Sequence, residues 1–235
     1  ALLILAPLCL YHIADVINLS GSVKALITWY AVSPPIGTTI WMCVFLGFSA
    51  PIAMEIVLLT NLLAPFTGPF MGEILLGSAV PTNALTLSFR LGAILFGGIF
   101  FAVFLKWWLG EKRITDNRSR LDGMATFLLL AFLVPVFDGV SSLVFTMPLV
   151  AFGFVCLATG LNFGHQIIVF WAGWLLGVIQ HKSSLPKGTR SAAVVSGNRN
   201  LGLYYAALPV DPIFSMFVAA YQIPIYLTPM IAGWF

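Results

Sequence analysis

Long apolar runs recur along this chain, and more than half of its charged residues lie in two short segments between them. A helix that rises 1.5 Å per residue needs about 20 apolar residues to cross about 30 Å of hydrocarbon. Only 8% of the residues are charged, whereas soluble domains carry roughly 25%. The chain therefore cannot cover a water-facing surface. We expect an all-α, polytopic integral membrane protein.

Nine helical segments are predicted from the apolar runs. They cover residues 1–17, 23–32, 38–48, 51–76, 85–109, 123–137, 148–179, 191–208 and 212–234. The segment 148–179 is one long tilted helix or two shorter ones that meet near residues 160–164. The segment 191–208 is interrupted at residues 196–200. The polar stretches at 110–122 and 181–190 are predicted to lie outside the bilayer.

The basic residues predict the orientation in the membrane. Lysines and arginines cluster in the loops 110–122 and 181–190, which fall on one side if 148–179 crosses once. The positive-inside rule places that side in the cytoplasm. The opposite loops, 18–22, 77–83 and 209–212, carry almost no Lys or Arg. We expect a multi-pass protein of the cell inner (plasma) membrane.

Two helices are predicted to break near the middle of a bilayer crossing. At residues 33–39 the pair Pro34-Pro35 removes two backbone donors and disfavours helix before each proline. At residues 196–200 the break contains Gly197 flanked by polar residues that tolerate other backbone conformations. Such irregular backbone is tolerated at this depth where it lines a cavity or is buried in protein. The alternative is two ordinary kinks in a helical bundle.

Paired discontinuous helices are typical of the binding site of a secondary transporter. Each break is followed by a short apolar half-helix, a proline-containing turn and a full span, which predicts an inverted repeat. We expect the breaks to cross near the bilayer midplane, with Pro35 close to Gly197. The half-helices starting near Thr38 and Leu201 would direct positive dipole ends and free amides into a polar cavity. That arrangement favours an anionic solute.

Both interruptions carry recognisable motifs. The first reads Ser33-Pro34-Pro35-Ile36-Gly37-Thr38-Thr39 and is followed by Leu62-Leu63-Ala64-Pro65. The second reads Ser196-Gly197-Asn198-Arg199-Asn200-Leu201-Gly202-Leu203. These motifs resemble the Ser-Pro-Gly-Gly break with its Leu-Leu-Ala-Pro, and the Ser-Gly-x-Arg-Asn-x-Gly-Leu crossover, of the bile acid:sodium symporter (SBF-like) family. The resemblance is to its uncharacterised bacterial branch.

The resemblance implies ten helices in two inverted repeats, with a core domain of crossing helices and a panel domain beside it. Residues 1–78 would be the remainder of the first repeat, with its crossover at 33–39. Residues 84–235 would be the second repeat, with panel helices at about 85–138 and core helices at about 148–235. Its crossover would lie at 196–200. On this scheme Ala1 lies inside the third helix, and about two panel helices are absent from the chain.

The chain departs from the sodium-coupled members at the positions that would bind sodium. By the resemblance these are Leu2, Ile40, Ala53, Val57 and Val195, all of them apolar. A hard cation needs several oxygen ligands. Arg199 stands where those members have Gln and would instead place a permanent positive charge there. We therefore expect transport that does not use the usual sodium sites.

The predicted site combines the two breaks with one residue of helix 148–179. Its substrate-binding candidates are Pro35, Gly37, Thr38, Thr39, Asn162, Gly197, Asn198, Arg199 and Asn200. The ion-pair or coupling candidates are Glu55, Arg199 and His165. Glu55 either pairs with Arg199 or is hydrated near the cytoplasmic interface. His165 either carries a proton or is a hydrogen-bonded structural residue.

These features predict a secondary transporter of a small organic anion that works by alternating access. The alternatives are a solute-sensing membrane module and an arsenite-type or oxyanion efflux carrier of the same superfamily. No catalytic motif is present, so we expect no enzyme activity. Cys9, Cys43 and Cys156 lie in apolar runs and predict no metal site. We expect no cofactor and no nucleic acid, the lipid bilayer as surroundings, and we leave a homodimer open.

Overall fold

The computed structural model describes residues 2–180 and 188–234, and these residues form helices without any strand. In chain order the helices are α1 Leu5–Val16, α2 Gly21–Val32, α3 Thr39–Phe45, α4 Ala50–Leu76, α5 Ala84–Leu109, α6 Glu111–Asp116, α7 Arg118–Phe137, α8 Val140–Thr146, α9 Pro148–Ile179, α10 Thr189–Gly197, α11 Leu201–Ala207 and α12 Pro212–Ile231. Five of them, α4, α5, α7, α9 and α12, are long and apolar enough to cross a membrane. The expectation of an all-α chain with several helices that could span a membrane is confirmed.

The predicted helix bounds agree closely with the observed ones, with two differences. The stretch 110–122 is largely helical, because α6 lies within it and α7 already begins at Arg118. Arg118 lies 3.9 Å from Asp122, one turn further along α7, which favours helix at this polar end. The short helix α8 was not predicted. It follows Gly139, whose φ of 69° turns the chain back after α7.

The long segment 148–179 is a single helix. Both discontinuous helices are observed: α2 ends at Val32 and α3 starts at Thr39, while α10 ends at Gly197 and α11 starts at Leu201. The helix pairs α2–α3 and α10–α11 are each followed by a long apolar helix, α4 and α12.

The core of the molecule lies around α2, α11 and α12. From Leu26 to Val32 every residue of α2 is buried, and most of α12 from Phe214 to Tyr221 is buried as well. In contrast, α5 and α7 expose most of their apolar side chains, as helices facing lipid do. The second half of α2 and the first half of α12 are therefore among the best-buried parts of the fold.

Three loops meet at one end of the molecule. Gly21, Pro81 and Pro209, one from each of the predicted loops 18–22, 77–83 and 209–212, line the same cavity. At the other end of α4, the guanidinium carbon of Arg190 lies 5.8 Å from the ring centre of Phe48. The remainder of the second polar loop, residues 181–187, lies outside the described residues.

Candidate functional site

The two interruptions bind each other through their backbones. Pro35 and Arg199 form an isolated antiparallel bridge. The Ile36 amide donates to the Asn198 carbonyl at 2.9 Å, and the Asn200 amide donates to the Pro34 carbonyl at 2.7 Å. The prediction that the breaks lie close together is confirmed. Each break thus satisfies two backbone groups of the other, as buried backbone requires.

The expectation of free amides at the crossover is wrong for the residues next to the bridge. The amides of Ile36 and Asn200 are used in the bridge, and the Arg199 amide donates to the Tyr221 hydroxyl at 2.9 Å. The carbonyls of Pro34 and Asn198 and the Tyr221 hydroxyl thus occupy the donors that a solute would need. Side chains are left to provide the recognition.

The candidates of the first break are divided between two environments. The Thr39 hydroxyl is buried and donates to the Ile36 carbonyl at 2.6 Å. Gly37 and Thr38 are exposed. In the second break, the Asn200 side chain caps α11 by accepting from the Leu203 amide at 3.3 Å. Thr39 and Asn200 therefore have structural partners already.

Arg199 is the largest fully buried side chain among the described residues. Its Nη1 donates to the Ser33 carbonyl at 3.0 Å, and its guanidinium carbon lies 5.8 Å from the centre of the Tyr30 ring. A cation over an aromatic face is favourable. These contacts hold the guanidinium at the end of α2, directly inside the crossover.

One edge of the guanidinium has no hydrogen-bond partner among the described residues. Nε and Nη2 of Arg199 are buried and make no hydrogen bond to the described protein atoms. These two nitrogens carry parallel N–H groups that point the same way, the edge that binds a carboxylate in bidentate fashion. A buried cation without a counter-charge costs several kcal/mol. The open edge therefore has the geometry of an anion site, and a bound anion would offset the cost of burying the charge.

Glu55 does not supply that counter-charge. Glu55 is exposed on α4, whereas Arg199 is fully buried, and the described residues contain no ion pair between them. The predicted Glu55–Arg199 pair is therefore wrong, and hydration of Glu55 near the cytoplasmic interface stays a prediction. The physical reason is the direction of the Arg199 side chain, which runs toward α2 and Ser33 and away from water.

An uncharged polar network lies beside Arg199 and joins α9, α10 and α12. Asn162 donates to the Gly197 carbonyl at 3.0 Å and to Asn198 Oδ1 at 3.2 Å. Gln166 donates to Asn162 Oδ1 at 2.6 Å, and the Thr228 hydroxyl donates to Asn198 Oδ1 at 3.0 Å. All four side chains are buried. The candidates Asn162 and Asn198 thus hold the second break against α9 and α12 through hydrogen bonds.

Gly197 is required by the closeness of this packing. A Cβ atom at Gly197 would collide with the Asn162 carbonyl and would lie 2.5 Å from Gln166 Cγ. The Gly197 carbonyl meanwhile accepts from Asn162 and from the Tyr221 hydroxyl. The glycine lets α10 end directly against α9.

His165 is tied into the crossover. Its Nδ1 lies 3.1 Å from the Tyr30 hydroxyl and 3.2 Å from the Leu161 carbonyl, and Tyr30 itself donates to that carbonyl at 2.8 Å. The ring is partly buried. These contacts agree with a hydrogen-bonded, structural His165. They position Tyr30, whose ring lies against the Arg199 guanidinium.

Four positions that the resemblance assigns to sodium ligands come together, but without oxygen side chains. Ala53, Val57 and Val195 are buried in one apolar cluster with Cys43, and Ile40 packs against it. These residues come from three separate helices. The cluster replaces polar ligands by hydrocarbon.

Several residues of the site were not predicted. They are Tyr30, Ser33, Asn61, Gln166, Tyr221 and Thr228. Gln166 follows Asn162 by one helical turn, and Thr228 follows Tyr221 by two turns, so the sequence spacing held a signal for both pairs. Ser33 acts through its backbone carbonyl, for which side-chain identity gives no signal.

No group of three or more His, Cys, Asp or Glu side chains that could hold a metal lies within residues 2–180 and 188–234. Comparison with known proteins finds no family model that matches the chain and no curated protein similar to it.

Proposed function

We propose that the protein is a secondary transporter of a small organic anion and that Arg199 binds the anionic group of the solute. The observation that carries the proposal is the buried Arg199 at the crossing of two interrupted helices, with an Nε–Nη2 edge that has no hydrogen-bond partner in the part of the chain that the structure describes. An anion at this edge would supply the counter-charge that Glu55 does not.

The favoured anion is a carboxylate. Its two oxygens match the spacing of two parallel N–H donors, and such a pair is stronger than a hydrogen bond between neutral groups. The Arg199 guanidinium is held at Nη1 by Ser33 and beneath by Tyr30, so little ordering remains to be done on binding. A neutral solute would leave the charge uncompensated.

Alternating access is supported by the arrangement of the breaks. Discontinuous helices that cross in the core are the usual binding sites of transporters with repeated halves. The motifs around 33–39 and 196–200 resemble those of the bile acid:sodium symporter family, whose members transport solutes. The convergence of Ile40, Ala53, Val57 and Val195 in one cluster agrees with the alignment of these motifs.

The test is uptake into proteoliposomes that contain the purified protein. Labelled aliphatic and aromatic carboxylates, a sulfonate and a neutral alcohol of equal size are compared, with sodium and pH gradients varied separately. We expect saturable uptake of at least one carboxylate, lost in Arg199→Gln and partly kept in Arg199→Lys. Arg113→Gln, in the exposed α6, is the matched control and should transport normally.

Equal uptake of the neutral alcohol, or unchanged uptake in Arg199→Gln, would contradict the proposal. Binding of a carboxylate without any uptake, measured by the shift in thermal unfolding, would favour the solute-sensing alternative instead. Both outcomes are read on the same preparation.

A further inference from the structure

A cavity of about 490 Å³ opens at the end of the molecule where the loops 18–22, 77–83 and 209–212 meet. Its volume lies in the range of small-molecule sites. The walls come from α2, α12 and these loops, and most of the lining is apolar, including Leu26, Trp29 and Phe214. Asp211 lines the rim, where its carboxylate caps α12 by accepting from the Ile213 amide at 3.0 Å.

The cavity follows one face of α2 toward Arg199. Ser22, Leu26 and Trp29 all line it, and they change from exposed at Ser22 to buried at Trp29. The next residue on this face is Ser33, one turn or about 6 Å beyond Trp29. The Ser33 hydroxyl donates to the Trp29 carbonyl at 2.7 Å, and the Ser33 carbonyl accepts from Arg199. One helical turn thus separates the cavity wall from the guanidinium.

Two aromatic rings occupy that turn. The rings of Trp29 and Tyr204 are in contact, with centres 5.4 Å apart and planes inclined at 37°. Tyr204 is fully buried, and its hydroxyl donates to the Val32 carbonyl at 3.5 Å. Trp29 belongs to the first interrupted helix and Tyr204 to the second. A relative shift of the two helices would therefore separate the rings.

A notch in α4 holds the pair in place. Gly68 and Gly72 lie one turn apart on α4, and a Cβ at Gly72 would come within 2.9 Å of the Trp29 ring. A Cβ at Gly68 would collide with the Tyr204 hydroxyl. Both rings use space that only glycine leaves free, so their closed position is built into the fold.

We propose that this cavity is the entrance for the solute and that the Trp29–Tyr204 pair is the gate between the entrance and Arg199. The proposal rests on the proposed function for the identity of the solute, an organic carboxylate with an apolar body that suits the lining. Entry from this end requires the rings to part, because they lie between the cavity and Ser33, whose carbonyl binds the fully buried Arg199.

The gate is tested by cysteine accessibility, which does not require transport. Native Cys9 and Cys156, which are exposed, are replaced by alanine, and buried Cys43 is kept. A reporter is placed beyond the gate as Ser33→Cys, and a second within the cavity as Ala25→Cys in a separate protein. Sealed vesicles are treated with a membrane-impermeant thiol reagent from one side and then from the other.

We expect Ala25→Cys to react in every background and from one side only. Ser33→Cys should react slowly with Trp29 present, and about tenfold faster after Trp29→Ala, because labelling scales with the population of the open state. Gly72→Ala, which displaces the ring without removing it, should accelerate labelling in the same direction. Trp171→Ala, an exposed tryptophan on α9, is the matched control and should have no effect.

Unchanged labelling of Ser33→Cys in both Trp29→Ala and Gly72→Ala would overturn the gate. Equal acceleration at buried Cys43 would mean general loosening of the fold and would also overturn it. If the labelling result holds while no carboxylate is transported, the gate stands and the proposed function fails. If uptake is found but labelling stays slow, the function stands and the solute takes another path.

Discussion

Pro35 and Arg199 lie opposite each other in an antiparallel bridge that joins the two interrupted helices. The flanking residues exchange backbone hydrogen bonds in both directions, Ile36 to Asn198 and Asn200 to Pro34. Proline has no donor of its own, so the first break can take part only through its carbonyls and the amide of Ile36. The two breaks therefore stabilise each other, and a change at one should be felt at the other.

The absence of a Glu55–Arg199 pair predicts additive behaviour of these two residues. Glu55→Gln should leave thermal unfolding in detergent nearly unchanged, because Glu55 is exposed. Arg199→Gln should stabilise the empty protein or leave it unchanged, since it removes a buried charge without a counter-ion. The double variant should equal the sum within about 0.5 kcal/mol. A coupling free energy well above that value would show that Glu55 and Arg199 do interact, which would contradict this prediction.

Sequence patterns sufficed for the long helices and for the position of both breaks. Apolar length marked the spans, Pro34-Pro35 marked the first break, and Gly197 with its neighbours marked the second. These signals are local, because proline and glycine act on the backbone of their own residues. The short helix α8 carried no comparable signal within its apolar surroundings.

The partners of the site were less accessible to sequence reasoning. Arg199 was recognised as a site residue, but the direction of its side chain depends on the carbonyl of Ser33, which any residue would provide. The predicted pairing with Glu55 rested on the expectation that opposite charges within a membrane form an ion pair. Arg199 instead binds the Ser33 carbonyl at the end of α2, and this hydrogen bond joins residues far apart in the chain.

Gly197→Ala should be strongly destabilising, whereas Gly160→Ala should be tolerated. The added methyl at Gly197 meets the Asn162 carbonyl and Gln166, while nothing lies within 4 Å of a Cβ at Gly160. Overpacking of this kind costs about 1–3 kcal/mol. Thermal unfolding of the purified variants, together with their folded yield, is the measurement. Equal stability of the two variants would show that α9 and α10 are further apart at Gly197 than the structure has them.

Thr228→Val should cost more stability than Thr67→Val, although both threonines donate to the carbonyl one turn earlier, at 2.9 Å and 3.1 Å. Thr228 is buried and also donates to Asn198 Oδ1, whereas Thr67 lies in an exposed hydrogen bond. Asn198 Oδ1 keeps its second donor, Asn162, so the expected cost is that of one lost buried hydrogen bond, about 1 kcal/mol. The comparison of the two isosteric changes in thermal unfolding isolates the network. Similar losses would show that Thr228 contributes only its local helix bond.

Uptake of the solute should not depend on sodium. Four of the positions that would hold the ion by family resemblance, Ile40, Ala53, Val57 and Val195, form a hydrocarbon cluster that offers no side-chain oxygen. A fixed guanidinium at about 4 Å opposes a monovalent cation by about 4 kcal/mol at an effective dielectric constant of about 20. Initial rates measured with sodium, potassium or choline outside, at constant pH and ionic strength, should agree.

Saturable stimulation by sodium alone would reveal a cation site built from other oxygens, such as those of the neighbouring amide network. In that case Thr228→Val should weaken the stimulation and Thr67→Val should leave it unchanged.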